Sequence, residues 1–257
     1  MSEDEESWRR YLADFHRDRA GVVEAVLSRA IDEDHTPYRW LARAVGGHAQ
    51  TVLDLACGSG PMSRELASNG RTVIGLDISD AELQLAAERG PGPWVRGDAL
   101  RLPFRDGSVD AITSSIGLVV ITPLDALMAE ITRVLRPGGV LAAIAPAARP
   151  ISPRDVRLLA RVTTRLRTKP QFPGPVELAG FKKTLRAYGM HRVEDQRERY
   201  RFTVTSRVDA ELVMSALYLP QTRWSRVEAA IELLEDKVQR KGSVEVTIPM
   251  RRLVAIK

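Results

Sequence analysis

Five short apolar segments, separated by amphipathic stretches, lie between residues 51 and 144 of this chain. Each segment has the length of a strand, and the stretches between them carry apolar residues at helical spacing. Strands that are apolar on both faces are typical of a parallel sheet with helices packed on each side. The pattern therefore predicts an α/β fold with a doubly wound sheet. The predicted strands are Thr51–Ala56, Arg71–Asp77, Trp94–Arg96, Val109–Ser114 and Val140–Ile144.

The alternation of helices and strands continues after a segment rich in proline and arginine that begins near residue 146. The direction of the last strand is left open, because it follows a helical excursion rather than a single crossover. The further predicted elements are helices at 177–188, 208–219 and 223–241 and strands at 197–204 and 244–256.

The first 48 residues are predicted to form a helical cap on this sheet. Apolar residues recur there at helical spacing, and Thr36-Pro37 has the order of cap and proline that starts a helix. We therefore divide the chain into a cap at 1–48 and a main domain at 49–257. Within the main domain, the sequence predicts a basic Pro/Arg-rich insert at 146–176 and a helical insert at 206–242.

Composition excludes several other classes of protein. The single cysteine cannot form an internal disulfide, which excludes a secreted disulfide scaffold. No apolar run approaches the roughly 20 residues that a membrane-spanning helix needs. The chain begins with Met-Ser-Glu-Asp-Glu-Glu, which is acidic where a signal peptide would be basic and then apolar. We therefore expect a cytoplasmic protein without a membrane span.

The net charge of +5 is distributed unevenly along the chain. The first 145 residues carry an excess of six acids, whereas the remainder carries an excess of eleven bases. Residues 149–207 hold fifteen Lys and Arg against five Asp and Glu, and Arg157, Arg161 and Arg165 form one stripe of a predicted helix. This stripe either faces the phosphates of RNA or of an anionic small molecule, or is the solvated outer face of a lid helix.

The glycine-rich turn Val52-Leu-Asp-Leu-Ala-Cys-Gly-Ser-Gly60 is the strongest indication of a ligand. Glycines between a strand and a helix let a ligand approach backbone N–H groups, because no Cβ stands in the way. The helix that follows is expected to extend to about Asn69. Two kinds of ligand fit such a turn, a dinucleotide or a different adenosine-bearing cofactor. The dinucleotide fingerprint requires a third glycine where Ser63 stands and usually lacks an acid such as Asp54, which favours the other cofactor.

Four segments, in order, resemble the class I S-adenosylmethionine-dependent methyltransferases. The glycine turn resembles motif I of that family, and Val73-Ile-Gly-Leu-Asp77 places a carboxylate at the end of the second strand. Gly97-Asp-Ala-Leu-Arg-Leu-Pro-Phe104 resembles the segment that holds the adenine, and Leu135-Arg-Pro-Gly-Gly-Val-Leu141 resembles the turn before the fifth strand. The match covers roughly residues 50–145 and is most similar to the bacterial branch that acts on small molecules.

The resemblance implies a Rossmann-like, seven-stranded, mostly parallel sheet with strand order 3-2-1-4-5-7-6. It also implies S-adenosylmethionine as cofactor and S-adenosylhomocysteine as product. Carried over from the family, Asp77 accepts the ribose hydroxyls, and Asp98 with Ala99 holds the adenine. Asp54 lies under the glycine loop, bonded to backbone amides near the methionine end. The expected cofactor-binding residues are Asp54, Ala56, Gly58, Gly60, Asp77, Ile78, Asp98, Ala99, Ser114 and Tyr38.

No catalytic residue is evident from the sequence. Many relatives carry something like Leu-His-His after the fourth strand, where this chain has Gly117-Leu-Val-Val120. His16 and His35, both in the cap, are the candidates for a base, with a structural role as the alternative for each. Cys57 is interpreted as a small residue of the turn rather than a nucleophile. No cluster of Cys, His or acids has metal-ligand spacing, so no metal is expected.

The sequence therefore predicts an enzyme that transfers a methyl group to a small-molecule acceptor, which can carry an anionic group. A hydroxyl oxygen of a metabolite, sugar, lipid or natural product is the preferred acceptor, and the oligomeric state is left open. An RNA methyltransferase that uses the basic C-terminal half is an alternative. It is disfavoured because no aromatic residue lies between 146 and 170, whereas proteins that bind single-stranded RNA usually stack bases on exposed rings. A second alternative is a non-catalytic protein that binds S-adenosylmethionine.

Overall fold

A seven-stranded sheet runs through the part of the chain that the computed structural model describes. This part comprises residues 3–67 and 70–257, without the side chain of Val176. The strands are β1 (Thr51–Leu55), β2 (Thr72–Asp77), β3 (Trp94–Arg96), β4 (Val109–Ser115), β5 (Leu135–Pro146), β6 (His191–Val204) and β7 (Val244–Ile256).

The strand order is β3-β2-β1-β4-β5-β7-β6, which confirms the predicted order. The first five strands, in the sheet order β3-β2-β1-β4-β5, are parallel to one another. The last strand, β7, runs antiparallel to both β5 and β6, so its direction, open in the sequence, is now defined. The fold is the doubly wound α/β fold expected for class I methyltransferases.

Helices connect these strands and cover both faces of the sheet. The helix after the glycine turn, predicted to extend to about Asn69, is observed as far as residue 67. Its last two expected positions lie outside the described residues. The helices are α1 (Glu3–Asp18), α2 (Val22–Leu27), α3 (Pro37–Ala42), α4 (Pro61–Ala67), α5 (Asp80–Arg89), α6 (Gly117–Val120), α7 (Leu124–Val134), α8 (Pro153–Leu166), α9 (Phe181–Ala187), α10 (Arg207–Ser215) and α11 (Trp224–Lys241).

Several boundaries differ from the predicted ones for identifiable reasons. The helix predicted at 177–188 is split into a short 3₁₀ turn and α9, because Gly180 adopts a left-handed φ of 73° between them. Strand β6 begins at His191 rather than 197. Its first half alternates charged side chains that pair with β7, as Arg252 does with Glu194 at 2.6 Å, so no apolar pattern marked it as a strand.

One face of the sheet carries a core formed with α7 and α9. Leu53, Ile112 and Leu141 from three adjacent strands are almost completely buried there. Ile131 of α7 and Leu185 of α9 pack against them. This face holds the middle strands in place, and Phe172 of the basic insert packs against its edge.

The opposite face of the sheet is covered by the N-terminal segment and by α4. Trp40 and Leu41 of α3 are buried in the same cluster as Val52 of β1 and Ile144 of β5. Arg252 of β7 adds a cation–π contact, with its guanidinium carbon 4.5 Å from the centre of the Trp40 ring. The cap therefore shares its core with the sheet, and the division of the chain at residue 48 stays a prediction.

A third cluster continues this face beyond the central strands. Long strands β6 and β7 extend past the rest of the sheet, and α8, α10 and α11 pack on the extension through residues such as Leu166, Phe202 and Ile231. The two inserts predicted at 146–176 and 206–242 thus supply one continuous layer of helices. Among residues 3–67 and 70–257, every helix is too short or too polar to traverse a bilayer.

Replacing Leu41 with alanine tests whether the cap and the sheet form one cooperative unit. The substitution leaves a cavity in a shared core, so we expect Leu41→Ala to lower the free energy of unfolding by about 2–5 kcal/mol. Urea denaturation should show one transition. Val208→Ala is the matched control, because Val208 is 71% exposed and should cost less than about 0.5 kcal/mol. A separate transition for the cap, or equal costs for the two variants, would contradict the shared core.

Candidate functional site

A cavity of about 1020 Å³ lies at the carboxyl ends of β1, β2 and β4. Doubly wound sheets bind ligands at this edge, where the loops that follow adjacent strands separate. The turn after β1, the loop after β2 and the segment after β4 form its floor, and Trp8 and Leu12 of α1 cover it. Its volume is at the upper end of the roughly 300–1,000 Å³ typical of small-molecule sites.

Asp77 is placed at the floor of this cavity by the end of β2. Its Oδ2 accepts a hydrogen bond from the N–H of Gly58 at 2.8 Å, and its Oδ1 accepts one from the N–H of Ser79 at 2.9 Å. Burial raises the pKa of Asp77, although these two N–H groups and the nearby His16 oppose that shift. Each carboxylate oxygen keeps a further lone pair with which it can accept a ligand hydroxyl.

The glycine turn supports this arrangement through left-handed backbone angles. Gly58 has a φ of 52° and lies in the cavity wall, as does Ala56, which has a φ of 56°. Gly60 has a φ of 80°, and a Cβ there would lie 2.5 Å from the ring of Trp94. Gly60, which we expected to contact the cofactor, therefore packs against Trp94 and is not part of the cavity wall.

Asp54 is buried at the end of β1 and lies beneath the turn. Its Oδ2 accepts a hydrogen bond from the Ser63 hydroxyl at 2.7 Å, and its Oδ1 accepts one from the Thr113 hydroxyl at 3.2 Å. Burial raises the pKa of Asp54 to about 6, against the effect of both hydroxyls. We expected backbone amides as its partners, and the Ser63 N–H is one of them, while the two side-chain hydroxyls add to it. Ser63 and Asp54, the two departures from the dinucleotide fingerprint, thus bind each other.

The opposite end of the cavity combines a carboxylate with apolar surface. Asp98 accepts the N–H of Leu100 on Oδ1 at 2.9 Å, and Ala99 beside it is buried. Ile78 is 64% exposed, and its apolar side chain forms part of the cavity wall. These residues lie where the resemblance places an adenine.

The end of β4 carries two serines that the sequence places near the methionine end of the cofactor, and Ser114 is the predicted site residue. Ser114, the predicted residue, donates its hydroxyl to the Leu55 carbonyl at 3.0 Å and does not line the cavity. Ser115 does line the cavity, and its buried hydroxyl has no hydrogen-bond partner among the described residues. A buried hydroxyl without a partner is unfavourable, so Ser115 points to a polar ligand. The strand alternation placed one of the two serines inward, but the sequence did not show which.

Tyr38 lies in the wall between this cavity and a smaller one. The smaller cavity, of about 380 Å³, is polar and shares Glu24, Tyr38 and Pro61 with the larger one. Burial raises the pKa of Tyr38 well above its usual range, and the nearby Glu24 and Asp54 raise it further. The phenol is therefore a neutral hydrogen-bond donor.

His16 reaches the cavity from α1 and joins three parts of the chain. Its Nδ1 lies 2.9 Å from Glu82 Oε1, and its Nε2 lies 3.1 Å from the hydroxyl of Tyr218. A carboxylate oxygen can only accept, so Nδ1 donates, and in the neutral imidazole Nε2 then accepts the Tyr218 proton. The other oxygen of Glu82 accepts the N–H of Gly21 at 3.0 Å. Glu82 and Tyr218 were missed because they are 66 and 202 residues from His16 in sequence.

His35, the second candidate for a base, lies away from the cavity. It is buried between Asp34 Oδ1, at 3.2 Å, and Glu198 Oε2, at 2.8 Å, beside the ring of Tyr200. These contacts join the N-terminal segment to β6, which is the structural role expected as the alternative for His35. The thiol of Cys57 is buried, which raises its pKa well above the usual range, and it donates to the Gly58 carbonyl at 3.5 Å. In the described part of the chain, no three His, Cys, Asp or Glu side chains are grouped as a metal site requires.

Comparisons with known proteins define the family. Residues 53–143 match the family model described as a methyltransferase domain. A demethylmenaquinone methyltransferase from Parafrankia is 34% identical over 216 residues, which cover 68% of this chain and 83% of that protein. The chain therefore belongs to the class I S-adenosylmethionine-dependent methyltransferases. It spans only 38–61% of four other demethylmenaquinone methyltransferases, to which it is 36–46% identical.

Solved structures agree on the fold. The cyclase SpnF superposes with a TM-score of 0.61 at 18% identity, covering 96% of this chain and 94% of that one. Phosphoethanolamine N-methyltransferase 2 from Haemonchus contortus, solved with S-adenosylhomocysteine, gives a TM-score of 0.57 at 18% identity. It covers 97% of this chain, and 60% of that protein is matched. The cyclase shows that the fold alone does not define the reaction.

The raised pKa of Asp54 predicts a pH dependence of stability. The folded protein keeps the Asp54 proton up to about pH 6, whereas an unfolded chain loses it near pH 4. The folded state therefore binds more protons in this interval, and its stability falls as the pH rises from about 4 to about 6. Relative to Asp54→Asn, the free energy of unfolding of the native protein should drop by up to about 3 kcal/mol across that interval. Urea denaturation at several pH values measures this difference, and parallel curves for the two proteins would refute it.

Proposed function

We propose that this protein transfers the methyl group of S-adenosylmethionine to a small-molecule acceptor, at a hydroxyl oxygen. One observation carries the proposal. Asp77, Asp98 and the unpartnered hydroxyl of Ser115 line one cavity at the edge where this family binds its cofactor. The positions are far apart in sequence, and the order of the strands brings them to the same edge of the sheet.

The residues of the cavity fit this cofactor, which supplies a methyl group on a positively charged sulfur. Asp77 would accept the ribose hydroxyls through its free lone pairs. Asp98, Ala99 and the exposed face of Ile78 would hold the adenine. Ser115 and Tyr38 would donate to the methionine end. The S-adenosylhomocysteine found with the related fold from Haemonchus contortus supports this assignment.

The charges around the cavity favour a cationic ligand. Asp54, Asp77 and Glu82 are acids at or beneath its floor, and burial raises the pKa of the first two. A positive charge nearby stabilises the ionised form of a buried carboxyl group. A sulfonium would therefore be bound more strongly than the neutral thioether that remains after methyl transfer, which also favours release of the product.

A hydroxyl acceptor must lose a proton, and one group in the cavity can receive it. Tyr218 donates its proton to His16 Nε2, while Glu82 holds Nδ1. In our proposal Tyr218 accepts the proton of the acceptor as its own passes to His16, and Glu82 stabilises the imidazolium. The relatives named demethylmenaquinone methyltransferase support a small organic acceptor. The apolar side chains of Trp8, Leu12 and Ile121 in the cavity wall would contact an apolar part of that acceptor.

Calorimetry with S-adenosylhomocysteine tests the cofactor site. Removing the carboxylate in Asp77→Ala deletes two charge-assisted hydrogen bonds, so we expect the affinity to fall by about 100-fold or more. Glu88→Ala is the control, because Glu88 is an exposed acid of the neighbouring α5 outside the cavity wall. The control should bind as the native protein does. Absence of binding by the native protein would refute the cofactor assignment.

A methyl-transfer assay tests the proton acceptor. With labelled S-adenosylmethionine and a panel of phenols, quinols and sugars, His16→Gln should lower the rate at saturating cofactor by about 100-fold. The affinity for S-adenosylhomocysteine should stay within about twofold, since the cofactor contacts are assigned to other residues. His48→Gln, which changes an exposed histidine outside the cavity, should leave both quantities unchanged. Tight cofactor binding without transfer to any acceptor would favour a non-catalytic protein instead.

A further inference from the structure

Two groups of bases in the C-terminal half differ in their surroundings. Arg197, Arg199 and Arg201 of β6 and Arg207 of α10 each form ion pairs with carboxylates, Arg207 with three of them. Seven bases between 149 and 169 are instead exposed, and none forms an ion pair with a carboxylate among the described residues. They are Arg149, Arg154, Arg157, Arg161, Arg165, Arg167 and Lys169.

The acid of this segment does not neutralise them. Asp155 is buried at the start of α8, where it accepts the N–H of Ser152 at 2.6 Å and lies 3.0 Å from Arg199 Nε. Its charge is thus used inside the protein, for the helix cap and for a base of β6. The outer face of α8 is left with uncompensated positive charge.

The helix arranges that charge in a line. Arg157, Arg161 and Arg165 recur every four residues, which spaces them about 6 Å apart along the axis. Their opposite face, with Val162 and Leu166, is buried in the third core cluster. The exposed arginine row therefore cannot turn inward without losing the core contacts of α8.

The neighbouring helix adds to the same surface. The pKa of Lys237 on α11 is lowered, first by burial and then by Arg161, Lys241 and Arg240 nearby. Helices α8 and α11 also pack against each other in the third core cluster, which places this end of α11 beside the arginine row. We call this surface the basic face and define it as the seven bases of 149–169 together with Lys237 and Lys241. Arg240, beside them, pairs with Asp236 at 2.7 Å and is not counted.

We propose that the basic face docks the protein on a membrane surface rich in anionic phospholipid headgroups. A line of guanidinium groups on the exposed side of a helix can contact several phosphates of a plane at once. Single-stranded RNA is the less suitable partner, since no aromatic ring lies between 146 and 170 for bases to stack on. Clusters of four to eight bases on one helix are typical of surfaces that bind anionic lipid.

Vesicle co-flotation tests this proposal independently of the proposed catalytic function. The full chain is mixed with phosphatidylcholine vesicles that contain either no phosphatidylglycerol or a large fraction of it. We expect binding to the anionic vesicles alone, weakened as salt is raised. The triple variant Arg157→Gln, Arg161→Gln, Arg165→Gln should lower the partition coefficient by roughly 100-fold.

A second triple variant controls for net charge. Lys182→Gln, Lys183→Gln, Arg186→Gln removes the same charge from exposed positions on α9, which packs on the opposite face of the sheet. It should bind vesicles nearly as well as the native protein. Calorimetry with S-adenosylhomocysteine, or a urea titration, shows that each variant is folded.

Three outcomes would overturn the proposal. The first is no flotation of the native protein with anionic vesicles, which would make the basic face a solvated surface. The second is an equal loss in the two triple variants, which would show a dependence on net charge alone. The third is retention on total RNA that the α8 variant abolishes, without vesicle binding, which would identify RNA as the partner.

Discussion

The carboxylate of Asp77 joins two loops on which the rest of the cavity depends. It accepts one N–H from the turn after β1 and another from the start of α5, so both loops close on the same pair of oxygens. Asp54, one strand away, does the same for α4 and β4 through two hydroxyls. Burying two carboxylates is unfavourable, as the raised pKa of each indicates. The two carboxylates that order the loops therefore also favour the binding of a positively charged ligand.

The roof of the cavity is attached in a different way from its floor. Phe15 is the buried residue of α1, so this helix makes few contacts with the core. It is held instead by the contacts of His16 with Glu82 and Tyr218 and by the edge-on packing of Phe15 on Tyr218, with ring centres 4.6 Å apart. Elements with few buried apolar contacts open at a lower free energy than the whole protein unfolds. We therefore expect α1 to open at a lower free energy than the sheet unfolds.

The parts of the structure that depend on local sequence could be predicted, and those that depend on distant contacts could not. Strand periodicity and turn chemistry are local, so the sheet, the glycine turn and the position of Asp77 followed from the sequence. The choice between Ser114 and Ser115 depends on the register of β4, which no local pattern defines. His35 looked like His16 in sequence, and the contact with Glu198 on β6 assigned it to the framework. The charged first half of β6 was missed because ion pairs across the sheet, rather than apolar residues, hold it to β7.

The backbone pairing of Ile31 with Arg201 limits the association of two copies of this protein through their sheet edges. Strand β6 is the last in the sheet, and Ile31 exchanges two backbone hydrogen bonds of 3.0 Å with Arg201 on its outer side. Free strand edges invite pairing with another chain, and a covered or charged edge discourages it. The N-terminal segment covers one end of β6, and Arg192, Glu194 and Arg197 make the other end charged. The sheet thus ends in a border that resists strand-to-strand aggregation, although it is fourteen residues long.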